Sequence, residues 1–277
     1  MAKQRVEVGV DVSAATLTIS AAAGTKTWRG EVANDADGHR SLIRRLRRMG
    51  KQIVAALEAT GNYGLDLAMA LHRAGIAVMV MNPRAVSQFA KALLQRSKTD
   101  RADADVILAY VQRMEFEPWT PPPAAAFELR TLSRHIHALK AMLVEEKNRR
   151  HAAEAVGSTP AVVLNDLKGS IALLQQRIKR LEDECLVVIA QNETLQKWFS
   201  LLIGSVGFGV TSAIKVLGEL AVLPPDMTAR HWTAHAGLDP RRFSSGSSVE
   251  KPDRISKAGN RYLRGALYLT RPHCCAM

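Results

Sequence analysis

The chain has 277 residues, 47% of them hydrophobic, which is enough to bury at least one full core and to fold as two domains with a connector, and excludes a disordered tail. Lys and Arg number 38 against 26 Asp and Glu, a formal charge of +12 with an isoelectric point near 10.0, so a polyanionic partner is expected, nucleic acid before anionic membrane. No apolar run approaches the ~20 residues that a membrane helix needs, "MAKQRVEVGV" carries neither a signal peptide nor an acylation motif, and three cysteines (Cys185, Cys274, Cys275) lack metal-ligand spacing, so the expectation is a cytoplasmic protein with no membrane partner.

In chain order, "VEVGVDVSAATLTISAAA" alternates small and β-branched residues around a polar break at Asp11, Val12 and Ser13; with "KTWRGEVAND" it predicts a meander of three short strands. "GHRSLIRRLRRMG" predicts a basic helix, and "QIVAALEAT" a buried strand ending at Glu58, with Gly61 supplying the turn. "YGLDLAMALHRAG" predicts a helix closed by Gly75, "IAVMVMN" another buried strand, and "PRAVSQFAKALLQ" a helix with Pro83 at its start. Strands alternating with helices after a meander predict an α/β domain with a mixed sheet over residues 1–116.

The proline-rich "EPWTPPPAA" predicts a stiff boundary. Beyond it, Leu129, Leu132, Ile136, Leu139 and Leu143, and then Leu164, Leu167, Ile171, Leu174, Ile178 and Leu181, recur at spacings of three and four, a heptad seam on each side of the break "GSTP". Residues 117–198 therefore predict an antiparallel coiled-coil hairpin whose narrow seam suits contact with another subunit, a homo-oligomer, with packing within the chain as the alternative. From residue 199 a mainly α-helical domain is expected to run to 277. In "SLLIGSVGFGVTSAIKVLGEL", Gly204, Gly207 and Gly209 read either as a helix-hairpin-helix turn that brings backbone N–H groups to a phosphate, or as an ordinary turn between packed helices. Seven basic side chains between Arg241 and Arg264 predict a polyanion surface.

Three aspartates crowd "SKTDRADADV". Asp100 and Asp103 are i and i+3, share a helical face and repel by a few tenths of a kcal/mol unless compensated. Either a divalent cation compensates them, or they form an ordinary acidic first turn with Lys98 and Arg101 as solvated partners. Asp105 lies roughly 140° around the helix from Asp100 and faces elsewhere. Asp11 and Glu58 at strand ends and the pair at a helix start can converge, and four carboxylates suit Mg2+ or Mn2+, which supports phosphodiester cleavage.

The array "GVDVS", "ALEATGNYG" and "SKTDRADA" resembles the RuvC-like DEDD domain of bacterial insertion-sequence transposases, and "HAGLDPRRFSSGSSVEKPDRISKAGNRYLRGALY" resembles their partner domain. The family is the insertion-sequence family numbered one hundred and ten, with closing wording similar to its eleven-eleven subgroup. The resemblance runs from Val6 to Tyr268 and implies an α/β RNase H-like first domain, a helical arm, and a DNA transposase or recombinase guided by a bridging RNA from the element. It implies that Asp11, Glu58, Asp100 and Asp103 hold the metal and that Ser245, in the "SG" step of "GLDPRRFSSGSS", is the nucleophile, with Ser244, Ser247 and Ser248 as neighbours that leave the choice open. Serine needs activation; Arg241, Arg242, Lys257 and Arg261 would hold the DNA backbone. The closing "LTRPHCCAM" departs from the family pattern, in which the helix continues, so an impaired or truncated copy, a nucleic-acid-binding remnant, is one alternative. A Holliday-junction nuclease using the carboxylates alone is another. A sugar-kinase-like nucleotide enzyme, suggested by "VEVGVDVS", lacks a second phosphate motif and leaves the basic block unexplained.

Overall fold

In the computed structural model, residues 5–58, 63–94, 99–245 and 249–269 are described; the side chains of 242–245, 249–251 and 269 are not. The expected turn at Gly61, the candidate partner Lys98, the serines Ser247 and Ser248, and Pro272, Cys274 and Cys275 lie outside the described residues. The chain divides into two compact units, residues 1–121 and 122–277.

In the first unit, β1 (Arg5–Val12), β2 (Thr16–Ala23) and β3 (Lys26–Ala33) form the antiparallel meander, followed by α1 (Ala36–Met49), β4 (Gln52–Glu58), α2 (Leu65–Arg73), β5 (Ala77–Met81), α3 (Pro83–Ala92) and α4 (Asp100–Arg113). The sheet order is β3-β2-β1-β4-β5, with β4 parallel to β1 and β5 parallel to β4. An antiparallel meander continued by parallel strands through helical crossovers is the RNase H-like arrangement.

The period of two along β4 sorts its side chains between two cores. Ile53, Ala55 and Leu57 join Val6, Val8 and Val10 of β1 under Leu42 and Leu46 of α1. Val54 and Ala56 join Met79, Met81 and the α4 residues Val106 and Ile107 on the other face. A strand buried on both faces reads as a continuous apolar run, which is what "IVAAL" is. Helix α1 is capped by the Asp35 carboxylate accepting from Gly38 N at 2.8 Å, and α3 by Asn82 with Pro83 in its first turn.

The second unit begins with α5 (Ala124–Glu154) and α6 (Ala161–Ala190), and continues with α7 (Glu193–Ile203), α8 (Val210–Leu220), α9 (Ala229–Ala236), the hairpin β6 (Pro240–Ser245) and β7 (Val249–Ile255), and α10 (Arg261–Leu269). Pro160 caps α6 and ends the break between the arm helices. The heptad seam is used within the chain: Leu129, Ile136 and Leu139 bury against Leu174 and Ile178, and the same core takes in Leu195 of α7 and Ile214 and Leu217 of α8.

Two expected boundaries therefore move. The first falls after Pro121, because Trp119 donates its N–H to the Val78 carbonyl at 2.6 Å and packs into the first core, so the proline stretch stays with the sheet. The second, between Trp198 and Phe199, falls inside α7; both residues pack on the core of the arm, which makes the arm and the C-terminal segment one unit. The β6–β7 hairpin was not legible in a stretch dense in charges and turn residues. No helix among the described residues is long and apolar enough to cross a membrane.

Candidate functional site: a carboxylate edge and a basic second unit

The carboxylate edge depends on a glycine. A Cβ on Gly9 would fall under 3.0 Å from Leu108 N, Ala104 O and Ile107 C, so α4 lies directly on the backbone of β1 at that point. Helix and strand run in opposite directions: Phe116, just beyond α4, takes the guanidinium of Arg5, the first residue of β1, 5.5 Å from its ring centroid. The N-terminal turn of α4 therefore lies towards the end of β1 that carries Asp11.

Spacing carries this further. Asp11 is two residues past Gly9, about 6–7 Å along the strand, and shares its face. Asp100 is four residues before Ala104, about 6 Å along the helix, with Asp103 between. Val10 pairs with Leu57 in the parallel β1–β4 register, which brings Glu58 beside Asp11; Glu58 also follows Ala56 by two and so points to the α4 side. Asp103 lies one turn before the buried Ile107, on the sheet-facing stripe of α4. Asp11, Glu58 and Asp103 are half-buried and Asp100 is exposed.

The four carboxylates thus share one edge and one face. They do not converge on a point: among the described residues no group of three or more His, Cys, Asp or Glu stands close enough to hold a metal ion. The donors are all carboxylate oxygens at an accessible edge, a hard set that fits Mg2+ or Mn2+ and not a thiophilic metal.

Asp105 does something else. Ser20 donates to its carboxylate, and Arg29 Nε does so at 3.0 Å. Burial pushes the Asp105 carboxyl up, but the hydrogen bonds from Arg29 and Ser20 and the Arg29 charge outweigh it and leave it below its ordinary range. Asp105 joins α4 to β2 and β3 through a partly exposed contact, which adds to the burial of Ala104, Val106, Ile107 and Val111 that sets the rotation of α4.

In the second unit, Ser245 ends β6 and pairs with Val249 across the hairpin. Arg241 is exposed on β6, and the side chain of Arg242 lies outside the described residues. Lys257 adopts φ 52 and donates its N–H to Gly237 O at 3.0 Å, in a tight crossing where Gly259 and Gly237 leave no room for a Cβ. Arg261 opens α10 and is exposed. Gly207 takes φ 92, which favours glycine, and Gly209 caps α8 with no side-chain hydrogen bond, so the first N–H groups of α8 lack a side-chain cap.

Sequence reasoning missed Glu219. It is 1% exposed and takes Arg134 through both oxygens, at 2.7 and 2.9 Å, Asn260 Nδ2 at 2.6 Å and Arg130 at 3.7 Å. Burial pushes its carboxyl up, but the hydrogen bonds from Arg134 and Asn260 and the charges of Arg134 and Arg130 hold it below the ordinary range. Asn260 Oδ1 in turn accepts from Tyr262 N and Leu263 N, capping α10, so one asparagine ties α8 to α10. The available signal was a lone carboxylate in the apolar helix "SAIKVLGEL".

An RNase H-like sheet with four carboxylates along one edge, followed by a basic helical unit, defines a RuvC-like, DEDD-type protein. More than half of the chain, residues 8–153, matches the family model described as a transposase of the IS110 DEDD type, and residues 200–275 match that of the transposase IS116/IS110/IS902 family. The chain belongs to the IS110 family of transposases. Among its relatives, the pilin gene-inverting protein of Moraxella bovis is 27% identical over 213 residues and that of Moraxella lacunata 29% identical over 217. Each match covers 77% of this chain and 64% of the relative, so the chain spans less than two thirds of the length of those proteins. Among solved structures, Thermus thermophilus RuvC in complex with a Holliday junction substrate is similar at 16% identity and a TM-score of 0.33, over 42% of this chain and 99% of that one. Another Thermus thermophilus RuvC structure has 16% identity and a TM-score of 0.30, over 41% and 99%.

Proposed function

We propose that this chain is a DNA transposase or recombinase that cuts and rejoins the strands of an insertion sequence. The observation that carries the reading is the close approach of α4 to Gly9, which aligns Asp11, Glu58, Asp100 and Asp103 along one sheet edge in a member of a transposase family. These four residues would hold Mg2+ or Mn2+, and the ion would neutralise charge building on the phosphate under attack. The Ser245 hydroxyl is the nucleophile: its Oγ–P bond forms as the P–O bond to one sugar oxygen breaks, and the serine proton leaves with that oxygen. Arg241, Arg242 and Lys257 hold the flanking backbone, and the N–H groups behind Gly207 and Gly209 receive a further phosphate.

The excess of positive charge also fits a guide RNA encoded by the element, and the protein acts in the cytoplasm. Because the heptad seam is filled within the chain, self-association of the arm would use its outer residues, where Met142, Val144 and Leu173 are exposed.

The test is a denaturing gel with DNA carrying the element ends. The wild type should give a heat- and detergent-resistant protein–DNA adduct that needs Mg2+; Ser245→Ala and Asp103→Asn should each abolish it, and Ser244→Ala should not. An adduct persisting in Ser245→Ala would move the nucleophile elsewhere, and metal-dependent cleavage with no adduct would identify a nuclease that uses only the carboxylates. RNA sequenced after copurification tests the guide.

A further inference from the structure

Around Tyr262 the second unit gathers more positive charge than its own fold uses. Arg134 stands 4.6 Å and Arg261 5.0 Å from the Tyr262 ring centroid, and the His137 ring meets it edge-on at 5.2 Å. Arg261 also donates to the Tyr262 hydroxyl at 3.1 Å. The structural work of this cluster, tying α5 and α10 to α8, is done by Arg134, Glu219 and Asn260. The other basic groups are left over. Arg130 reaches Glu219 only at 3.7 Å, and its Nε is buried with no hydrogen bond. Among the described residues, His137, Lys215 and Arg261 are in no ion pair with a carboxylate. His137 and Arg261 are exposed, while Lys215, Arg130 and Tyr262 are half-buried, so the group opens to solvent.

We propose that the face shared by α5, α8 and α10 is a binding site for a nucleic-acid backbone phosphate, held by Arg261, Lys215 and Arg130 beside the His137 and Tyr262 rings. The inference deepens the reading of the chain as a nucleic-acid recombinase and rests on it. The basic groups here outnumber the carboxylates beside them, Glu219 and Glu182, which is costly in isolation, and an anion between them lowers that cost.

The titration state of the cluster agrees. His137 is faced by Lys215 and Glu219 of α8, by Arg261 and Tyr262 of α10, and by Arg134 one turn back on its own helix. Partial desolvation of the ring against its neighbours first, then Lys215 and Arg261, push the imidazole below its ordinary range, and Glu219 opposes them only in part. Burial and Lys140 likewise push Lys215 down against the pull of Glu182. A phosphate at this face favours both charged forms, so binding takes up protons, and the His137 midpoint rises when the site fills.

The experiment uses the whole chain with a short single-stranded oligonucleotide, read by anisotropy across a salt series and by the NMR titration of His137. For the wild type the His137 midpoint should rise on binding. Lys215→Gln with Arg261→Gln should weaken affinity by roughly tenfold or more at moderate salt and lower the slope of log K against log salt by about two contacts. A control of equal charge change at the exposed Lys168 and Lys179 on α6 should move affinity far less. If the wild type binds the oligonucleotide but the double variant matches it in affinity and slope with His137 unmoved, the site is wrong and the broader reading stands. If the wild type binds no oligonucleotide, the broader reading fails with it. A His137 shift with inorganic phosphate but none with the oligonucleotide would overturn the nucleic-acid assignment in favour of a free-phosphate site.

Discussion

Replacing Gly9 by alanine should separate the scaffold of the carboxylate edge from its chemistry. The added Cβ would lie under 3.0 Å from three backbone atoms of α4, and backbone cannot turn aside as a flexible side chain does. To reach an ordinary contact above 3.4 Å, helix and strand must part by about 1 Å. Overpacking of this kind costs ~1–3 kcal/mol, which at roughly 4 °C per kcal/mol for a unit of this size lowers the melting temperature by roughly 4–12 °C. The unit stays folded, because Asp105 still holds α4 to Ser20 and Arg29 and Val106 and Ile107 keep their core. Asp103 and Asp100, however, ride on α4 while Asp11 stays on β1. A misplacement of about 1 Å at a reacting centre can cost on the order of 100-fold in rate. Gly9→Ala should therefore lose Mg2+-dependent adduct formation by about two orders of magnitude with all four carboxylates present. The assays are the adduct gel as a time course and a thermal melt. Wild-type rates in a Gly9→Ala protein would refute the claim that this approach aligns the metal ligands; loss of all folding would refute the claim that α4 is independently fastened.

Glu219→Gln should destabilise the second unit by ~1.5–3 kcal/mol at neutral pH, because it removes the charge-assisted hydrogen bonds from Arg134 and leaves the half-buried Arg134 and Arg130 without their counter-charge. The Glu219 carboxyl is held below its ordinary range, so its contribution is present above the unfolded carboxylate range and lost as pH falls through the folded value; melts should differ most near neutrality and converge in acid, and a constant difference would show that the charge of Glu219 is not what stabilises. Leu139→Asp, at 1% exposure in the seam, should cost at least ~3 kcal/mol and collapse hydrogen-exchange protection in α5, α6 and α8 together, since these helices share one core. Unchanged protection with a changed oligomeric state would mean that the seam faces another subunit instead.

Much of the first unit was legible along the chain because its signals are local. Alternation in β1 and β2, the apolar run of β4 and Pro83 at the start of α3 each depend on residues within a few positions, and the observed elements follow them. The carboxylates could be read as candidates at strand and helix ends, and the phase of α4 separated Asp105 from Asp100 and Asp103. The role of Asp105 was not legible, since Ser20 and Arg29 are 85 and 76 residues away. The same holds for Gly9, an unremarked strand residue whose missing Cβ matters only because α4 returns to it almost a hundred positions later. In the second unit the heptads determined two long helices and their break, but not what the seams touch; an amphipathic stripe states that it must be buried and not against which surface, and here α7 and α8 fill it. Glu219 is the extreme case. Its sequence shows a carboxylate in an apolar helix, an apparent error in patterning, and only the fold brings Arg134 and Asn260, one from each side of the chain, close enough to make burying that charge tolerable.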